Sequence, residues 1–235
     1  AILSLWITSM IEVLLGWSLP AAGEWILLFL CSASIAPAIL LPFGLIRKGA
    51  VPGANDNLSG IAVAYELGRR LSKQPLTHTE VWVVGFGSEE EGLLGPKAFV
   101  DTHRSELPDA MVINLECLGQ SGRLHLLEGE VVSMARHSRK VMAIIEDAAV
   151  EEGIALSKKW LLPGLTDATS FSRKSIAATT LIRFNARGYL DDYHTMKDDP
   201  STISEENLVE AAGLCERALR QIDESAKDEN TPIPD

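Results

Sequence analysis

The chain has 235 residues, 46% of them hydrophobic and 23% charged, with a formal net charge of −11; that balance suits one folded domain of ordinary size with a greasier addition. The acidic excess argues against a nucleic-acid partner. Its three cysteines, Cys31, Cys117 and Cys215, lie far apart, and neither a disulfide framework nor a Cys-rich zinc finger follows from them.

Residues 1–46 carry only two charged side chains, Glu12 and Glu24. The second of their two apolar runs, Trp25 to Ile46, holds 22 uncharged residues, enough to cross a hydrocarbon core of roughly 30 Å as a helix. A cleaved leader fits less well, because no basic region precedes the first run and a second run follows it. Residues 1–48 are therefore expected to form a transmembrane helical hairpin, closed by Arg47 and Lys48, whose charges weakly favour a cytoplasmic end there. The expected localisation is an integral membrane protein with two spans, the side occupied by the remaining chain staying open.

After Gly49 helix-like and strand-like segments alternate. "LSGIAVAYELGRRLSK" places Ile61, Ala64, Tyr65, Leu67 and Leu71 near helical spacing, with basic residues late, where the helix dipole favours them. "EVWVVGFG" is a short Val-rich run, the signature of a buried strand. "GLLGPKAFVDTH" predicts a helix with Pro96 in its first turn, "DAMVINLEC" a strand, and "MARHSRKVMAIIEDAAVEEG" a helix ended by Gly153. "AATTLIRF" predicts another strand, and "SEENLVEAAGLCERALRQIDESA" a long amphipathic helix begun by Ser204. The tail, residues 227–235, reads as disordered. Such alternation implies an α/β layer fold with a mainly parallel sheet.

In an open α/β sheet, ligands bind beyond the carboxyl ends of strands. Three acidic groups fall there: Glu89, Glu90 and Glu91 in "GFGSEEEG", Glu116 in "INLECLG", and Asp56 in "GANDN". Each also has a plain structural use, the glutamates as a solvated first helical turn and "NDN" as Asx-turn and capping chemistry. Glu116 resists that use, because it ends a run that should be buried, where an unpaired carboxylate costs several kcal/mol. A cation would relieve converging carboxylates. An imidazole that would select zinc is offered by "YLDDYHTMKDDP" at His194, with Asp198, four residues on, a candidate acceptor for its second N–H.

"PGANDNLSG", "GSEEEGLLG", "INLECLG", "TDATSFSRKSIAA" and "DDYHTMKDD", in that order, resemble the co-catalytic zinc aminopeptidase family, which also contains glutamate carboxypeptidases and glutaminyl cyclases. The resemblance covers about residues 51–222. It implies a three-layer α/β zinc-peptidase-like fold with a mixed, mainly parallel sheet, residues 49–226 forming the C-terminal part of the peptidase domain behind the membrane hairpin. It further implies that Asp56 bridges two zinc ions, Glu89 is the general base, and Glu90, Glu116 and His194 are zinc ligands acting on peptide substrates. Asp167 lies in the element that reads "SDH-x-x-F" in the family and "TDATSF" here, and is carried over only as a second-shell or substrate residue. Tyr193 is a candidate hydrogen-bond donor to the tetrahedral intermediate.

The family's early "H-x-D" element, whose histidine binds the zinc held by Glu116, has no counterpart between Ala1 and Gly49. One zinc site is thus complete, from Asp56, Glu90 and His194, and two arrangements stay open. Either the element lies upstream with the hairpin inserted after it, giving two zinc ions, or the chain works with one, as glutaminyl cyclases do. A non-catalytic membrane-anchored relative is the third reading.

Overall fold

The computed structural model describes residues 50–229. An irregular turn, Ala54–Leu58, leads into helix α1, Ser59–Lys73. Val63, Leu67 and Leu71 recur every four residues and are its buried stripe, while Glu66 pairs with Arg69 and Arg70 on the outer face. There follow α2 (Leu94–His103), β1 (Met111–Glu116), β2 (Arg123–Glu130), β3 (Ala135–Arg136), α3 (Arg139–Glu152), β4 (Leu156–Leu161), α4 (Ala168–Ser172), β5 (Ala177–Phe184) and α5 (Glu205–Glu229).

β5 is central, parallel to β1 and antiparallel to β2; β2 also pairs with β4 in parallel and with the two-residue β3 antiparallel. The sheet is mixed, and its longer pairings are the parallel ones. Side chains alternate across it as a pleat requires. Met111, Ile113, Leu115 and Leu181 join Val63, Leu67, Val141, Ile145 and Leu214 in a core under α1, α3 and α5. Val112 and Ala178 join Val100 and Phe171 under α2 and α4 on the opposite face.

Several expectations need correction. The helix expected from Met134 begins only at Arg139, where the Ser138 hydroxyl accepts from Val141 N; Ala135 and Arg136 instead pair with β2. α5 continues to Glu229, past the expected domain boundary at 226. β2, β4 and α4 had no counterpart among the expected elements. The expected integral membrane localisation is not sustained: among the described residues no helix is long and apolar enough to cross a membrane. The longest, α5, has the length but carries charged side chains throughout. The apolar runs within residues 1–48 on which that expectation rested, and the tail from 230, lie outside the described residues.

The strand expected over Glu80–Gly87 has no regular secondary structure and no ladder partner among the described residues. Its side chains nonetheless meet helices on two sides. Val83 faces Gly68 of α1, and Gly85 faces Ile61, while Trp82 and Phe86 point the other way onto Phe99 of α2, with ring centroids 6.3 and 5.3 Å away. Between this segment and β1 lies a cavity of about 850 Å³, lined on one side by Val81–Phe86 and on the other by Met111–Glu116.

Candidate metal centre

The acidic residues gather at one end of that cavity, which Asp56, Glu89, Glu90, Glu116 and Asp167 all line. Asp56 is held by its neighbours. Asn55 Oδ1 accepts from Gly119 N (2.9 Å) and Gln120 N (3.1 Å). Asn57 Oδ1 accepts from Cys117 N (3.1 Å) and Gly60 N (3.2 Å), while its Nδ2 donates to Leu115 O (2.8 Å). The two asparagines therefore stitch the turn to the carboxyl end of β1, with Asp56 between them. Gly60 is required by the same closeness, since a Cβ there would lie 2.3 Å from Leu115 O.

Asp198 completes the clamp, although not as the spacing suggested. Its buried carboxylate accepts from Asn55 N (2.6 Å) and Asp56 N (3.1 Å), and so orients the Asp56 backbone instead of the imidazole. A spacing of four brings side chains together only on a helix; here His194 has φ 56° and the segment is a series of turns.

Glu89 and Glu90 lie in the tight turn after the 81–86 segment, closed by Leu93 N donating to Glu89 O at 2.7 Å. Glu116 ends β1, and His194 follows β5. His194 Nε2 approaches Glu90 Oε1 at 2.8 Å and Asp56 Oδ2 at 3.0 Å. Both the Nε2 atom and Asp56 Oδ2 are buried without a directed hydrogen bond. The Tyr193 ring stacks on the imidazole, 3.9 Å between centroids and 17° between planes.

The electrostatics are those of like charges crowded out of water. Burial, then the Glu90 carboxylate, raises Asp56 to about 6, with His194 acting in the other direction. Burial, then Asp167 and Glu90, raises Glu89 to about 7. Glu116 is held well above the usual carboxylate range by burial and by Asp56 and Glu89, and Asp167 is raised to about 6 by burial and Glu130. Burial and the neighbouring carboxylates also push up the Tyr193 hydroxyl and the Cys117 thiol.

Such a cluster is suited to a cation. Two donor sets converge among the described residues, Asp56 with Glu90 and His194, and Asp56 with Glu116 and Cys117, each with its donor atoms within 4.8 Å of one another. Orphaned polar atoms facing each other across the first set fit a metal ion, and mixed imidazole and carboxylate donors fit zinc. The second set adds Cys117, which the sequence reading left unassigned; its Sγ lies 3.6 Å from Glu116 Oε1 and 3.9 Å from Asp56 Oδ1.

Next to Cys117, Leu161 and Phe184 are buried in a small core, whereas Leu162 is 65% exposed. Arg183 is buried and taken up by Glu210 (2.5 Å), Leu118 O and Gly122 O.

Residues 42–218 match the model of Peptidase family M28. The chain is 32% identical over 185 residues to Aminopeptidase YwaD from Bacillus subtilis (strain 168), a match covering 77% of this chain and 39% of YwaD. Among solved structures it is similar to BSAP, a zinc aminopeptidase from Bacillus subtilis, with a TM-score of 0.64 and 28% identity over 75% of this chain and 44% of that one. It is also similar to an aminopeptidase from Aneurinibacillus sp. strain AM-1, with a TM-score of 0.62 and 30% identity over 73% of this chain and 40% of that one. The chain spans less than half the length of each of these relatives. A family model matched over most of the sequence, on a fold that gathers carboxylates and a histidine at one end of a mixed sheet, shows that this chain belongs to peptidase family M28.

Proposed function

We propose that the chain carries the catalytic centre of a zinc-dependent aminopeptidase. The observation that carries this reading is the meeting of His194 Nε2 with Glu90 and Asp56, at 2.8 and 3.0 Å, beside Glu89 in an acidic cavity. Asp56, Glu90 and His194 hold one zinc ion, and Asp56 and Glu116 contribute to a second. Bound zinc acidifies a water molecule and polarises a scissile carbonyl. Glu89 is the base that takes the water's proton and returns it to the leaving amine. Tyr193 fixes the imidazole plane by stacking, and Asp198 holds the Asp56 backbone. The surrounding carboxylates suit the α-ammonium of a peptide N-terminus, and the engagement of Arg183 with Glu210 removes one means of reading a C-terminal carboxylate.

The single-zinc alternative has one observation in its favour: of the two donor sets among the described residues, Asp56–Glu90–His194 alone includes an imidazole. Elemental analysis of zinc per chain separates the readings. Two ions support the co-catalytic pair, and one supports single-zinc chemistry. Turnover is measured on peptides with free and with acetylated N-termini. Release from the free form alone, abolished by chelator and restored by zinc, is the expected result; equal cleavage of both forms refutes the aminopeptidase. Pyroglutamate formed from an N-terminal glutamine marks a cyclase, and no chelator-sensitive turnover marks a non-catalytic relative.

Zinc should also stabilise in a pH-dependent manner. Asp56, Glu89 and Asp167 are raised to about 6, 7 and 6, so the folded, metal-free protein holds their protons more tightly than the unfolded chain. The stability these groups confer is present below about pH 4 and is lost as pH rises to about 7. Zinc opposes that loss by pairing with the ionised forms. The zinc-induced increase in Tm is therefore expected to grow between about pH 5 and pH 7; an increase that shrinks over this range would place the metal elsewhere.

A further inference from the structure

A second polar cluster, around Glu130 and His137, is not used by the chemistry above. Glu130, at the end of β2, and His137, just past β3, have fully buried side chains, with His137 Nε2 3.3 Å from Glu130 Oε1. His137 Nδ1 in turn meets Ser172 Oγ at 2.8 Å. The Glu130 carboxylate accepts from Thr166 N at 3.2 Å on each oxygen, from Thr166 Oγ1 at 2.6 Å, and from Thr169 Oγ1. Thr166 Oγ1 also meets Thr180 Oγ1 at 2.7 Å, and Thr169 Oγ1 meets Ser133 Oγ at 3.2 Å, tying the cluster to β5 and to the β2–β3 turn.

Those threonines flank Asp167. An aspartate preceding a helix ordinarily turns its side chain onto the first free N–H groups, yet Asp167 makes no such bond to α4. Its side chain lines the cavity with Glu89, and its Oδ1 is buried without a partner. Glu130 takes over the work at this corner by receiving Thr166 N and the two hydroxyls, which leaves Asp167 free to face the cavity. Its buried position suits an acceptor-only group surrounded by donors, and an unmatched group there would be costly.

We infer that Glu130, braced by His137, is a positioning residue: through Thr166 and Thr169 it fixes the loop that turns Asp167 into the cavity that Glu89 also lines. The inference rests on the aminopeptidase reading for its kinetic consequence and on the loop geometry for its structural one. Replacing Glu130 by glutamine keeps the size but sets an NH2 group among donors, so the loop loses its anchor while the proposed zinc ligands stay in place.

The test compares the zinc-loaded full chain with Glu130→Gln, Thr169→Val, Asp167→Asn and the Glu130→Gln/Asp167→Asn double variant. Glu130→Gln is expected to lower kcat about tenfold or more with KM changed less than about twofold, zinc content unchanged, and faster amide exchange at residues 166–172. Because Glu130 acts through Asp167, the double variant should be no slower than Asp167→Asn alone. Thr169→Val removes one anchor at similar size and should show the same pattern more weakly, so it answers the question if Glu130→Gln fails to fold. Effects of the two single variants that multiply in the double variant, or normal kcat despite a loosened loop, would overturn the inference. A wild-type chain without turnover would sink the aminopeptidase reading, whereas the exchange measurement still decides whether Glu130 anchors the loop.

Discussion

Glu89→Gln is expected to lower kcat by about a thousandfold while leaving zinc content and Tm within error of the wild type, as general-base removal commonly costs 10²- to 10⁴-fold. The side chain lines the cavity next to the proposed zinc ligands without belonging to either donor set. Its carboxyl is raised to about 7 in the metal-free protein by burial and four neighbouring carboxylates, so the amide, which carries no charge, relieves repulsion and should not unfold the turn. Bound zinc will draw the carboxyl downward, keeping it ionised and able to accept a proton near neutral pH. Elemental analysis and a melting curve alongside steady-state kinetics separate the two roles open to this residue. Loss of zinc together with activity would make Glu89 a ligand, and normal turnover would remove it from the reaction.

Asp56→Asn should have the other large effect. Asp56 is the residue common to both donor sets, so its substitution is expected to abolish zinc binding and bring turnover below detection, whereas substitution of Glu116 should spare the set containing His194. The stability consequence has the opposite sign in the metal-free state. Since burial and Glu90 raise this carboxyl to about 6, it opposes folding at neutral pH, and the asparagine should leave the Tm in chelator equal to or above that of the wild type. Zinc retained at wild-type stoichiometry would show that Asp56 does not hold the metal.

What could be read beforehand follows from which forces are local. β1, β5 and α5 announce themselves because an apolar run or a period of about 3.6 decides them. β4 does not, because its sequence "LSKKWL" carries two lysines; Lys158 pairs with Glu146 and Lys159 lies over the Phe184 ring, uses that exist only after folding. β2 ends in Glu130, a charge that sequence reasoning sends to the surface and that threonines 36 and 39 residues away accommodate in the interior. Of the proposed centre, Asp56, Glu89, Glu90, Glu116 and His194 are nameable from four short motifs. The asparagines flanking Asp56 read as local turn formers in the sequence, because their long-range bonds to Leu115, Cys117, Gly119 and Gln120 exist only in the fold.

The closeness of Gly60 to the end of β1 has a further consequence for what the turn can tolerate. A Cβ at this position would lie 2.3 Å from Leu115 O and 2.6 Å from Asn57 Oδ1. Neither the backbone oxygen nor the doubly engaged amide can give way cheaply, so even alanine would have to push α1 off β1. The site's geometry is in this sense set by the absence of a single methyl group, on a residue that belongs to neither donor set.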